Sequence, residues 1–132
     1  MFNLFKKILN KGEITNTSSV EFEVNGNIEF TLKIKELHIG YLTIEEGLWI
    51  FRYSEAFKTQ TKYARLTGYS DLDKVYKTEE LWPFFKIRIP GLKQPMIKDI
   101  IKAENLDETN EVQLLKRFGT KSMSNPYILE SA

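Results

Sequence analysis

The chain has one histidine, His38, and no cysteine. A lone imidazole could act as a general base, but that role needs a nucleophile and an orienting carboxylate within hydrogen-bond reach. The sequence marks no such pair near it. Nor can one histidine hold zinc, which takes three or four protein ligands. A polar position beside a strand accounts for His38 without chemistry. The densest carboxylates are Asp71, Asp73, Glu79 and Glu80. Their oxygens could bind a divalent cation. The spacing fits no calcium loop, however, and the glycine that such a loop requires is missing. A solvated loop running into the acidic first turn of a helix explains them equally well. Serines and threonines are plentiful, but none lies in a nucleophile elbow, and no glycine-rich loop is set to cradle a phosphate. The expectation is a non-enzyme, with no catalytic residue, no metal and no cofactor.

The most unusual stretch is LWPFFKIRIPGLKQP, Leu81 to Pro95. It sets Trp82, Phe84 and Phe85 among Lys86, Arg88 and Lys93, and three prolines punctuate it. Aromatics interleaved with bases could stack on single-stranded nucleic acid. The net charge of +1 offers no wider electrostatic footprint for such a ligand. Direct nucleic-acid binding is therefore not expected. Trp82, Phe85 and Ile89 fall at i, i+3 and i+7, the spacing of one apolar stripe on a helix.

The elements that must position these residues follow from periodicity. Val20, Phe22 and Val24 alternate with Glu21 and Glu23. Asn25-Gly26 follows, the dipeptide best suited to the positive φ angles of a tight hairpin. Ile28, Phe30, Leu32 and Ile34 then alternate with polar residues, which predicts a strand with one buried face. A short strand over His38–Thr43 and a turn at Glu45–Gly47 lead into Leu48–Tyr53, where Trp49, Phe51 and Tyr53 share a face. Turns this short favour antiparallel pairing. Glu55–Gln60 reads as one helical turn, and Lys62–Lys77 as an ordered but irregular loop.

The second half reads as helical. Pro83 suits a helical first turn, where backbone donors have no partner anyway. Pro90-Gly91 ends that helix and Pro95 starts the next, with Met96, Ile97, Ile100 and Ile101 as its buried stripe. Asp107 is the expected cap of a third helix, with Glu108 and Glu111 near its start and Lys116 and Arg117 near its end. Val112, Leu115 and Phe118 form its inner face, Leu114 lies beside them, and Gly119 stops it. Pro126–Leu129 is expected to add a last strand. Strands followed by helices make an α+β domain: an antiparallel meander with three short helices on one side of the sheet. The length of 132 residues fits a single domain over 20–132, preceded by a segment and linker over 1–19. No run is apolar enough to span a membrane, and the absence of cysteine is compatible with the cytoplasm.

Taken in order, IGYLTIEEGLWIFRYSEAF, LWPFFKIRIPGLKQPMIKDII and LLKRFGTKSM resemble the N-terminal domain of HipA-like serine/threonine kinases, toxins of a bacterial toxin–antitoxin class. Gly40 and Leu42 match a G-x-L strand, and Phe51 and Tyr53 an F-x-Y strand. Phe84, Phe85, Ile89 and Pro90 match an aromatic helix ending in Leu-Pro, with Ile in place of Leu. Leu114, Leu115 and Gly119 match an L-L-x-x-x-G helix. The likeness covers roughly residues 30–130 of the sequence. It departs after Pro90, where Gly91-Leu92 replaces an acidic residue and Gly, and at Ser124-Asn125-Pro126, where the family has Gly-Ala.

The family's ATP-binding and catalytic residues lie downstream of this domain, so the resemblance carries none of them over. It implies a freestanding, antitoxin-like subunit that binds a HipA-like kinase and restrains it in trans, in a complex that can include a helix-turn-helix antitoxin. Trp is enriched at interface hot spots, so Trp82 and Phe84 are the candidate anchors, joined by Arg88 and Lys93 as partner-binding residues. The competing reading is a scaffold protein of the same fold with another partner. The apolar and basic segment over residues 1–11 could then lie on a membrane surface, although a frayed end, or a short helix docked on the body, is the plainer expectation.

Overall fold

A computed structural model describes residues 28–132. The expected strand at Val20–Val24, its Asn25-Gly26 turn and the segment over residues 1–19 lie outside them. The strands are β1 (Ile28–Ile34), β2 (Leu37–Glu45), β3 (Leu48–Tyr53), β4 (Tyr76–Thr78) and β5 (Ile128–Ser131). They form one antiparallel sheet in the order β4-β3-β2-β1-β5. The meander β1 to β4 is thus closed on one side by the chain's last strand. The fold is α+β, as the element order predicts.

Alternation decides which face is buried. Phe30 and Leu32 of β1, and Trp49, Phe51 and Tyr53 of β3, point into one apolar cluster. β2 contributes both Ile39 and Leu42, which an unbroken strand would place on opposite faces. A bulge resolves this. Leu32 pairs with Gly40 and Lys33 with His38, so Ile39 is the extra residue. The bulge also turns two carbonyls outward, and Ser54 takes both. Its amide donates to Ile39 O at 2.8 Å, and its hydroxyl to His38 O at 2.6 Å. The same Oγ accepts from the Phe57 amide and so caps α1 (Glu55–Lys58).

Gly40 is fixed by contact. A Cβ there would lie 2.5 Å from the Arg52 carbonyl and 2.7 Å from the Phe51 ring. Between β2 and β3, Glu46 and Gly47 both have positive φ, 51° and 81°. That is the geometry of a two-residue turn matched to strand twist.

Across the buried face lie Phe57 from α1, Phe85 from α2 (Pro83–Lys86) and Leu115 from α4 (Glu111–Phe118). Tyr53 and Phe57 stack with ring centroids 4.9 Å apart. Residues 62–77 are ordered, as expected, and their end begins a short strand that the sequence did not mark. Leu66 and Tyr69 are buried in the main cluster, and β4 pairs with Trp49–Phe51.

Several sequence expectations shift. The helix from Pro83 is a single α-helical turn, and i→i+3 bonds from Arg88 to Phe85 and from Ile89 to Lys86 extend it. Met96 is 73% exposed rather than buried. It follows Pro95 at the very start of α3 (Pro95–Ala103), so no preceding turn shields it. Of the expected stripe, Ile101 is buried, and Ile97 and Ile100 are half-buried. The cap of α4 is Asn110 rather than Asp107; its side chain accepts from the Gln113 amide at 3.1 Å. Asp107 Oδ1 is already occupied by the amide and hydroxyl of Thr109, which hold its carboxyl below the usual range. The last strand begins at Ile128, two residues after Pro126.

Candidate docking surface

The Leu81–Pro95 segment divides its aromatics between two sides of α2. Pro83 fills the first helical position, and the Trp82 carbonyl accepts from the amides of Phe85 and Lys86. On the inner side Leu81 and Phe85 are buried, and the Phe85 ring lies 5.7 Å from that of Phe51. On the outer side lie Phe84, half-buried, and Ile87, 60% exposed. They are three residues apart and therefore share a face. Trp82 is half-buried at the edge between the two sides.

Tyr69 locks this turn. Its ring meets Trp82 edge-on at 5.6 Å, Phe84 at 6.4 Å, Tyr76 at 5.1 Å and Phe51 at 5.4 Å. Burial drives its phenol pKa upward, since a phenolate would lose its solvation. The Phe84 ring is held further by Phe85 at 5.0 Å and Tyr127 at 5.8 Å. Trp82 and Phe84 therefore come together around one buried ring and keep part of their surface open.

Arg88 and Lys93 do not join them. Arg88 is 4% exposed and faces inward. Its guanidinium donates to the carbonyls of Gly119 (3.0 Å), Thr120 (3.3 Å) and Tyr127 (2.9 Å), and to Asn125 Oδ1 (3.2 Å). No carboxylate is among these partners, and Nε finds no acceptor among the described residues. Burial lowers the Arg88 pKa to about 10. The cation sits at the negative end of α4, where carbonyl dipoles stabilise it. The expectation that Arg88 serves a partner surface gives way to a structural role, because the residue is buried and both terminal nitrogens are engaged inside the chain. Lys93 is exposed and lines a groove beside α3.

The residues singled out for chemistry are dispersed. His38 is exposed and bonds through its backbone carbonyl to Ser54. It lines a polar cleft of about 730 Å³ with Glu29, Glu36, Tyr41, Arg52 and Glu55. The Arg52 guanidinium lies 5.0 Å from the centre of the Tyr41 ring there. Asp71 Oδ1 closes a local turn on the Asp73 amide, and Asp73 pairs with Lys58 at 3.5 Å. Glu79 and Glu80 are exposed. Among the described residues no group of three or more His, Asp or Glu side chains is placed to hold a metal.

Sequence reasoning passed over Ile87. The signal was present: an apolar residue three positions after Phe84 marks a second stripe opposite Trp82, Phe85 and Ile89. The enclosure of Arg88 had no local signal, because its acceptors lie 31 to 39 residues downstream. No protein-family model matches this chain, and no curated protein matches it either. Among the described residues no helix is long and apolar enough to cross a membrane.

Proposed function

We propose that this protein is a non-catalytic binding module of the bacterial cytoplasm that associates with a HipA-like serine/threonine kinase and restrains it in trans. The observation that carries the binding reading is the outer side of α2. Ile87 projects from a turn clamped from inside by Phe85, Tyr69 and Phe51, and Phe84, held against Tyr69 and Tyr127, keeps a partly open edge beside it. A rigid apolar projection loses little conformational freedom on docking, so more of its buried area becomes affinity. Trp82 adds a partly open aromatic edge of the kind found at hot spots. The kinase as partner rests on the sequence resemblance. The residues that carry it hold defined positions: Gly40 against the Phe51 ring, Phe85 at the centre of the cluster, Leu114 and Leu115 buried, and Gly119 against the Leu115 carbonyl. Fold likeness alone does not assign a role, so the test must identify the partner.

The test is co-purification of the tagged protein with a HipA-like kinase of the same organism, comparing wild type with Ile87→Glu. Ile87 is exposed, so the variant should keep the wild-type melting temperature. Burying the new carboxylate at a partner should weaken the complex at least about tenfold. A kinase retained equally by both forms would reject the surface. No complex with an expressed kinase would reject the partner.

A further inference from the structure

A groove lies beside α3. Its floor comes from the way α3 ends. Asn105 adopts a left-handed φ of 56°, the Leu106 amide donates to Ile101 O at 2.9 Å, and the Asn105 amide donates to Lys102 O at 3.3 Å. This pair of bonds is a Schellman motif, which brings the residue two past the cap over the last helical turn. Here those residues are Leu106 and Ile101, and both line the groove. Ile101 is buried yet stands apart from the main apolar cluster, so this floor is a separate feature of the surface. The groove measures about 740 Å³, within the range of sites that accept several side chains.

Charge decides the occupant. Lys93, Lys98 and Lys102 line the groove, and none has an ion-pair partner among the described residues. Lys98 and Lys102 are four residues apart and so stand one above the other on α3. Asp99 and Glu108 also line the groove and offset part of this charge, leaving a net excess of one positive charge. Carboxylates entering from outside meet lysines a helical turn apart, while an apolar side chain can settle on Ile101 and Leu106.

We infer that this groove docks a segment of a partner protein that presents an apolar side chain flanked by carboxylates about one helical turn apart. The lysines steer and orient that segment, and the apolar floor retains it. The site does not depend on the identity of the kinase proposed above.

The probe is a short fluorescein-labelled helical peptide made of leucine and glutamate, read by anisotropy against the full-length protein and mapped by amide NMR. Saturable binding is expected, with shifts centred on Lys98, Ile101, Lys102 and Leu106 and affinity falling as salt rises. The same peptide with every glutamate replaced by lysine should not bind. The Lys98→Glu/Lys102→Glu double variant should bind the acidic peptide at least about tenfold more weakly and bind the lysine peptide better. These exposed positions leave the fold intact, and an unchanged melting temperature checks that. Absence of binding by the acidic peptide, shifts centred elsewhere, or indifference to the charge reversal would each overturn the assignment. So would shifts at these residues that track protein concentration without peptide, which would make the occupant a second copy of the chain.

Discussion

The hydroxyl of Tyr53 donates to the carbonyl of Tyr69 at 2.6 Å and accepts from the Leu66 amide at 2.9 Å. One phenol on β3 thereby binds the long connection to β4 onto the sheet at two points. The connection carries Tyr69, the ring that braces Trp82 and Phe84. Order in the loop and order in the docking surface have the same origin. Burial raises the Tyr53 pKa, while the Leu66 bond acts the other way.

Tyr53→Phe keeps the ring and its stacking on Phe57 but leaves a buried amide and a buried carbonyl without partners. The expected cost is about 2 kcal/mol, a fall in melting temperature of about 8 °C for a domain of this size. In a Trp49→Phe background, which leaves Trp82 as the sole indole, its emission should also shift to the red at temperatures where the sheet is intact. A variant with wild-type stability would mean that water replaces both bonds, and the loop would not depend on Tyr53.

Arg88 performs a similar task for the last strand. Its four bonds join α2 to the end of α4 and to the chain entering β5. Arg88→Met removes a buried charge but strands the acceptors on Gly119 and Tyr127, while Thr120 O keeps the Leu129 amide. The net loss should be about 3 kcal/mol. Amide exchange should rise at Leu129, whose amide bonds to Thr120 O, and at Ala132, whose amide bonds to Glu29 O. Exchange that rises uniformly across the sheet instead would show that Arg88 supports global stability and not the seating of β5.

The parts of this fold that were legible in the sequence are those set by local periodicity. Phe30 and Leu32, or Trp49, Phe51 and Tyr53, declare their face because strand side chains alternate. Three-residue β4 has no period to read, and its order comes from Tyr76 packing on Tyr69 and accepting a bond from the Asp71 amide at 2.9 Å. The start of α4 was misplaced at Asp107, because its engagement by Thr109, which leaves the capping to Asn110, has no sequence signal. The docking surface was half legible. Spacing separated Phe85 from Phe84, but the inward turn of Arg88 depends on carbonyls from distant parts of the chain. Phase itself changed at Ile39, because a bulge resets the alternation and leaves no mark in the sequence.

Gly40 and Gly47 make a matched pair for separating crowding from backbone conformation. At Gly40 an added methyl meets the Arg52 carbonyl and the Phe51 ring, neither of which can swing aside. Gly40→Ala should cost about 3 kcal/mol, at the upper end for overpacking. Gly47 has open space around it but a φ of 81°. Gly47→Ala should cost only the left-handed penalty, about 1 kcal/mol. Urea midpoints should order as wild type, Gly47→Ala, Gly40→Ala, with a common slope. The reverse order would mean that β2 and β3 can separate around Gly40 at little cost.

Acid should weaken the α3–α4 junction. Arg117 donates from Nε to Glu104 Oε1 at 2.7 Å and from a terminal nitrogen to Oε2 at 3.0 Å, a bidentate pair. These bonds hold the Glu104 carboxyl below its ordinary value of 4.5, and the Thr109 bonds hold Asp107 below 3.8. A carboxyl depressed in the folded state contributes stability that is complete above its unfolded pKa. That contribution is lost as pH falls through the lower folded value. Stability should therefore decline as the pH drops below about 4.5, and Glu104→Gln should flatten part of the decline while lowering the plateau at neutral pH. Both carboxyls are exposed, so the effect is modest and shrinks in high salt. Chemical denaturation across this pH range, at low and high salt, measures it. An acid limb identical in wild type and Glu104→Gln would show that the pair contributes nothing to the folded state.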